Sequence, residues 1–244
     1  MNPLVRRLLP LSLVLTSACV MSADAHNDAA HTRLMNDIAH DFVATARMTG
    51  VREMSPAVAT AMATVPRHRF VPPGGQAAAY ANRPLTIGHG QTISQPFIVA
   101  LMTELAAVSP GDRVLEVGTG SGYQAAVLAA LGARVYTIEI IEPLGRRAAA
   151  LLEELGYDDV EIRIGDGNAG WPEAAPFDAI VVTAGGDLPD ALVEQLAVGG
   201  RLVIPLDSAW GEQELTLIEK QGDGSVTRRG VLPVRFVPLV GGDD

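Results

Sequence analysis

Val114-Leu-Glu-Val-Gly-Thr-Gly-Ser-Gly-Tyr-Gln124 is the stretch from which the fold is read. Four mostly apolar residues, Val114 to Val117, predict a buried strand. Alternating glycines predict a tight turn, and Ala125 to Leu131 predicts the helix beyond it. Strand, glycine turn and helix together form the opening unit of a nucleotide-binding, doubly wound α/β sheet. Glycines suit that turn because they bend the backbone sharply and leave amides that a Cβ would shield. A dinucleotide site asks for G-x-G-x-x-G/A, and counting from Gly118 and Gly120 the third position falls on Tyr123. The chain instead carries Glu116-x-Gly118-x-Gly120-x-Gly122, with an acid two residues before the first glycine.

Working outward, Arg134 to Glu139 predicts a second buried strand that ends in a carboxylate. An acid at that strand tip can accept hydrogen bonds from both hydroxyls of a ribose. Glu142, three residues on, ranks second for the role. Val160 to Ile164 predicts a third strand leading into Gly165-Asp166-Gly167, which on pattern alone is a plain β-turn. Phe177 to Thr183 and Arg201 to Leu206 predict two further parallel strands, with a helix from Leu188 to Leu196 between them. Glu214 to Lys220 and Val226 to Phe236 alternate as an antiparallel pair across Gly222-Asp-Gly224. The expected class is a Rossmann-like, doubly wound α/β fold with N-terminal helices and a C-terminal antiparallel hairpin. Its expected parts are residues 1–25, a signal-like segment; 26–110, helices and a substrate loop; and 111–244, the core.

The 244 residues suffice for one sizeable domain with small additions. Twenty-eight acidic against eighteen basic residues give a formal charge of −10, which argues against a nucleic-acid partner, since phosphate binding needs clustered Lys and Arg. The single cysteine, Cys19, excludes an intramolecular disulfide framework and a Cys-rich metal site. The histidines (His26, His31, His40, His68 and His89) lack metal-ligand spacing, so no metal is expected. At the N-terminus Arg6 and Arg7 precede an apolar run, Leu8 to Met21, and Ala23-Asp24-Ala25 fits a small-x-small cleavage site. That reads as an export signal, too short for a comfortable membrane span, with a mis-assigned start before Met21 or Met35 as the alternative.

Between these ends the pattern is helical from Asn27 to Thr64, with a break at Gly50 and a cap at Ser55-Pro56. Val65-Pro-Arg-His-Arg-Phe-Val-Pro-Pro73 predicts an extended segment in which Arg67, His68 and Arg69 form a solvated edge. Gly88 to Pro96 predicts a polar loop holding Thr92, Ser94 and Gln95 ahead of a helix from Phe97 to Val108. Hydroxyls in that position are most often helix caps.

Taken together, Val65-Pro-Arg-His-Arg-Phe-Val, Ile87-Gly-His-Gly-Gln-Thr-Ile-Ser-Gln-Pro, the glycine turn, Gly165-Asp-Gly, Gly170-Trp, Ala175-Pro-Phe-Asp-Ala-Ile-Val-Val-Thr-Ala, Gly199-Gly-Arg-Leu-Val-Ile-Pro and Val234-Arg-Phe-Val-Pro-Leu-Val carry a resemblance. From about Leu34 to Val240, in order and without a large insertion, the chain resembles the protein-L-isoaspartate (D-aspartate) O-methyltransferases. The glycine motif is shared by many methyltransferases, whereas Gly-Gln-Thr-Ile-Ser-Gln-Pro is that family's own signature. The resemblance implies S-adenosyl-L-methionine as cofactor, held by Glu116, Gly118, Thr119, Gly120, Gly122, Glu139, Asp166 and Gly167, with Asp166 against the adenine. It implies isoaspartyl-containing proteins and peptides as substrates, and Ser94, supported by Thr92, as the catalytic residue. The loop Gly185-Gly186-Asp187 departs from the usual pattern and looks one residue short.

The expected chemistry needs little of the protein beyond positioning. An isoaspartyl α-carboxylate, with a pKa of roughly 3.5 to 4, is ionised at neutral pH and needs no general base. Ser94 is therefore expected to orient the carboxylate as a hydrogen-bond donor, not to attack as a nucleophile, because an acyl-enzyme serine would want a His–carboxylate pair. Two alternatives stand beside this reading: an exported, non-catalytic binding module on the same fold, and a nicotinamide oxidoreductase disfavoured by Tyr123 and Glu116. Location divides the expectations. Cofactor supply favours the cytoplasm, the first 25 residues favour the periplasm, and a monomer is expected.

Overall fold

A computed structural model describes residues 12–208 and 211–241. The chain enters through one long helix, α1 (Ser12–Thr49), which buries Leu34, Ile38 and Phe42 at four-residue spacing. Gly50, at φ +73°, ends it in the left-handed conformation that glycine adopts most readily. Helix α2 (Pro56–Thr64) begins at Ser55, whose hydroxyl accepts from the Val58 amide, as the Ser-Pro pair predicts. The small-x-small tripeptide at 23–25 falls inside α1, while residues 1–11 of the signal-like segment lie outside the described residues. Among the described residues no helix is long and apolar enough to cross a membrane.

The next segment corrects two expectations. Residues 65–78 are not extended: they wind into two short 3-10 turns, Arg67–Phe70 and Pro73–Ala78. Nor is Arg67 solvated, since it and Phe70 turn inward while His68 and Arg69 stay partly exposed. The polar loop is in fact a hairpin of β1 (Leu85–Gly88) and β2 (Gln91–Ile93), turning through Gly88, His89 and Gly90, all at positive φ. Strands of four and three residues are too short to show alternation, so the sequence displays only their turn residues. Helix α3 (Pro96–Ala106) follows and is buried along nearly its whole length.

The sheet then forms in the predicted order: β3 (Arg113–Val117), α4 (Tyr123–Ala130), β4 (Arg134–Glu139), α5 (Glu142–Glu154), β5 (Val160–Ile164), β6 (Phe177–Val182), α6 (Asp190–Gln195), β7 (Leu196–Asp207), β8 (Gln213–Lys220) and β9 (Val226–Val234). In space the order is β5-β4-β3-β6-β7-β8-β9, parallel through β7 and antiparallel beyond it. Both faces of the parallel part are covered, so β3 and β6 are buried almost throughout and mostly apolar, Glu116 of β3 being the buried exception. The chain order reverses between β3 and β6, which opens a crevice at their carboxyl ends. Because Val117 pairs with Val182, the residues that follow them, Gly118 and Thr183, stand side by side at its floor.

Candidate active site

The crevice is built from the glycine turn outward. Gly118 has φ +95°, and a Cβ there would lie 2.5 Å from Thr183 Oγ1, so conformation and space both require glycine. Thr183 Oγ1 donates to the Gly118 carbonyl at 2.6 Å and to the Val117 carbonyl at 3.1 Å, closing the floor. Glu139, at the tip of β4, is only 5% exposed and aims its carboxylate into the turn. Oε2 accepts from the Gly120 amide at 2.7 Å and Oε1 from the Ile141 amide at 2.9 Å. Each oxygen retains a lone pair for a hydroxyl donor in the cleft.

Gly118, Gly120, Glu139 and Gly167 line one cleft, together with Thr92 and apolar walls from Val117, Ile138, Ile140 and Ile141. A hydrogen-bond-accepting carboxylate beside apolar walls suits an adenosyl group, whose ribose hydroxyls donate and whose base is flat and largely apolar. Gly167 must be small, since a Cβ there would meet Val117 Cγ1 at 2.3 Å. Asp166 stands just behind this wall, where its side chain caps the 3-10 turn Gly167–Ala169 by accepting from the Asn168 amide at 2.8 Å. The far wall is the C-terminal segment Val237 to Val240, tied to Gly185 by two backbone hydrogen bonds of 2.8 and 2.7 Å. With that wall in place the cavity measures about 70 Å³. The short Gly185-Gly186 loop thus seats the tail, and a Cβ on Gly185 would strike the Gln213 side chain at 2.2 Å.

Glu116, Thr119 and Gly122 do not reach the cleft; they lie behind the turn. Glu116 is fully buried and accepts from Thr137 Oγ1 at 2.5 Å, and Thr137 is in turn linked to Thr119 Oγ1 at 2.7 Å. Oε1 of Glu116 has no partner among the described residues. Burial, followed by repulsion from Glu139, pushes its carboxyl up to about 8. Gly122, at φ +87°, packs against Leu152 and Ala148 of α5.

A second cavity, of about 1060 Å³, opens on the other side of Thr92 and Thr183. Thr92 faces it from the hairpin, Ser94 from the link between β2 and α3, Asp41 and Thr45 from α1, and the strand-and-tail segment from Leu232 to Val237 closes its other side. The capping expectation for these hydroxyls fails. The residue ahead of α3 is Gln95, which makes no side-chain cap, and the Phe97 amide donates to Asn82 Oδ1 at 3.1 Å. Asn82 is itself held by Asp41 at 2.8 Å. Because the helix end is satisfied from 15 residues upstream, the Thr92 and Ser94 hydroxyls have no protein hydrogen-bond partner among the described residues and remain available to a ligand. Thr92, Thr183 and Val237 line both cavities, so the two meet there.

Sequence reasoning missed Thr183, Asp41 and the tail. Thr183 ends an apolar strand and looks like its continuation, and Asp41 looks like the solvated face of a helix. The tail residues enter the cleft only through contacts made far along the chain. Only the position of Thr183, directly after the β6 run that pairs with β3, was a usable signal.

The family model for "Protein-L-isoaspartate(D-aspartate) O-methyltransferase (PCMT)" matches residues 39–244. A Polaromonas protein named protein-L-isoaspartate O-methyltransferase 2 is 59% identical over 194 residues, covering 79% of this chain and 92% of its own. One from Cupriavidus necator, protein-L-isoaspartate O-methyltransferase 1, is 52% identical over 241 residues, covering 97% and 93% respectively. Among solved structures, a protein-L-isoaspartate O-methyltransferase superposes with TM-score 0.75 at 29% identity, over 86% of this chain and 66% of that one. A Plasmodium falciparum structure described as a PCMT in complex with S-adenosyl-L-homocysteine gives TM-score 0.71 at 25% identity, over 86% and 98%.

Proposed function

The chain belongs to the protein-L-isoaspartate(D-aspartate) O-methyltransferase family, and on that premise we propose that it moves a methyl group from S-adenosyl-L-methionine to the free α-carboxylate of L-isoaspartyl residues in damaged proteins and peptides. One observation carries the reading. A cleft whose acceptor carboxylate and apolar walls suit an adenosyl group meets a larger cavity at Thr92 and Thr183, and beside that junction Ser94 and Thr92 present hydroxyls with no protein partner among the described residues.

When bound, S-adenosyl-L-methionine supplies a methyl group already electrophilic on sulfur and leaves as the thioether. Glu139 would hold its ribose with the two free lone pairs of its carboxylate. Gly118, Gly120 and Gly167 would let the backbone lie close to it, and the isoleucines would cover the adenine. Glu116 and Thr119 support the turn from behind. A nucleoside-sized ligand needs several times the present cleft volume, on the order of 300 Å³ or more, so the Val237–Val240 wall must draw back to admit it.

On the acceptor side the carboxylate loses its charge as the new C–O bond forms. A cationic anchor would bind the charged ground state more tightly than the transition state and slow the reaction. Neutral donors avoid that penalty, and two hydroxyls are what the hairpin and its link to α3 provide. Ser94 and Thr92 then act by orientation, which can contribute on the order of 7–11 kcal/mol when both reactants are fixed. The backbone amide nitrogen then attacks the ester carbonyl and expels methanol to give a succinimide without further help, and addition of water reopens the ring to return some normal aspartate.

The test is methyl transfer from labelled S-adenosyl-L-methionine to an isoaspartyl peptide and to its aspartyl twin. Label confined to the isoaspartyl peptide supports the reading; equal label in both, or in neither, defeats it. For location we propose the cytoplasm, where the methyl donor is made, and mass spectrometry finding a native chain that starts at His26 would place it in the periplasm instead. We also propose a monomer, since one chain lines both cavities; light scattering that returns a dimer mass would refute it.

A further inference from the structure

We propose that Arg67 is a positioning residue for methyl transfer, one guanidinium that fixes the acceptor-side Ser94 against the donor-side helix α4. The inference rests on the reading of Ser94 given above. Arg67 lies in the short turn after α2 and is completely shielded from solvent. Its Nε donates to the Ala79 carbonyl at 2.9 Å and its Nη2 to the Ser94 carbonyl at 2.8 Å. Its charge sits 4.8 Å from the ring centre of Tyr123. Tyr123 is the first residue of α4, directly after Gly122 of the glycine turn. A single side chain therefore touches the peptide that carries the acceptor hydroxyl and the helix that anchors the donor turn.

The arrangement is costly for a fold, which is why it calls for a reason. A buried cation is ordinarily matched by a carboxylate. Among the described residues Arg67 has none: two carbonyls and an aromatic face compensate it, and Nη1 has no partner there. Burial lowers its pKa from the ordinary arginine range to about 10, so it is still charged at neutral pH. An apolar side chain of similar size would fill the space without burying a charge, but it would leave the Ser94 carbonyl free to rotate. The planar, forked guanidinium can bond two carbonyls at fixed angles while stacking on a ring, which an ammonium cannot do. The Ser94–Gln95 peptide is thus held by Arg67, and the next amide but one, that of Phe97, by Asn82. Between them they set where the Ser94 hydroxyl points.

The test is a double-mutant cycle on the full chain: wild type, Arg67→Met, Ser94→Ala and the pair. Each is assayed for kcat and KM on an isoaspartyl peptide, for S-adenosyl-L-homocysteine affinity and for thermal midpoint. A misplaced acceptor group can lose on the order of 10²-fold in rate, so Arg67→Met should lower kcat/KM by about 10- to 100-fold, with donor affinity within about 2-fold of wild type. If Arg67 acts through Ser94, the same substitution on the Ser94→Ala background should change the rate by less than about 3-fold, because the group it positions is gone. Equal Arg67→Met effects on both backgrounds, or a parallel loss of donor affinity, would assign Arg67 to general stability and overturn the proposal. Wild-type activity in Ser94→Ala would instead remove the reading beneath it, and the proposal with it. Should Arg67→Met fail to fold, Arg67→Lys keeps the charge and one carbonyl bond; an intermediate kcat, coupled to Ser94 in the same way, is then expected, and an uncoupled one refutes it.

Discussion

Replacing Glu139 with glutamine separates shape from charge at the centre of the donor cleft. The carboxylate now accepts from Gly120 N at 2.7 Å and from Ile141 N at 2.9 Å, one bond per oxygen. Glutamine fills the same space, but one of its two terminal atoms becomes an NH₂. Whichever way the amide turns, that NH₂ faces a backbone N–H, so one charge-assisted bond is lost and a donor is set against a donor. The ribose side loses an acceptor as well. A hydrogen bond to a charged group contributes about 1.5–3 kcal/mol, and each 1.4 kcal/mol is about tenfold in affinity. The dissociation constant should therefore rise about 10- to 150-fold. Calorimetric titration with S-adenosyl-L-homocysteine and, separately, S-adenosyl-L-methionine reads it directly. Both ligands carry the same ribose, so the loss should be the same for both, while the KM for peptide changes little. An affinity within threefold of wild type, or a loss confined to one ligand, would refute the assignment of Glu139.

Ser94→Ala should lower kcat/KM on an isoaspartyl peptide by about 10- to 100-fold, the value of one hydrogen bond to a charged group, and leave S-adenosyl-L-homocysteine affinity unchanged; steady-state kinetics with calorimetry separates the two. Glu116 adds a pH dependence to stability. Its folded-state pKa of about 8 lies above the ordinary value of 4.5, so the native state holds an extra proton between the two and stability declines as pH rises from about 5 to 8. Urea midpoints should therefore fall with pH more steeply in wild type than in Glu116→Gln, and parallel profiles would contradict this. Truncation after Phe236 removes the segment bridged to Gly185 and should speed S-adenosyl-L-homocysteine dissociation about tenfold, with most of the affinity change in the off-rate; stopped-flow release at the wild-type rate would show that the tail is no barrier.

The sheet was legible because its information is local. Apolar runs such as Phe177 to Val182, the Gly118–Gly122 turn and the acid at the tip of β4 each announce themselves within a few residues. Glu139, Gly118 and Gly120 line one cleft, while Gly122 packs behind the turn against α5. Glu116 shared the motif but not the cleft, since alternation along β3 sets its side chain behind the turn. Arg67 was misread for a different reason. A basic residue between prolines is usually solvated, and the carbonyls that take this one inside come from 12 and 27 positions away. The hydroxyls were misread as caps because their rival, Asn82, lies 15 residues upstream of the amide it satisfies. The tail wall depends on pairing between Gly185 and residues past 236. Sequence pattern reports periodicity within an element; which distant group reaches a buried carbonyl is decided by packing.

The central claim is that Ser94 and Thr92 hold an isoaspartyl carboxylate for direct attack on a methyl group held across the junction at Thr183. Transfer from S-adenosyl-L-methionine bearing a chiral methyl group to an isoaspartyl peptide, with configuration read in the ester, tests that claim. Inversion is predicted, as a single in-line displacement requires. Retention would demonstrate a methylated enzyme intermediate and contradict the account.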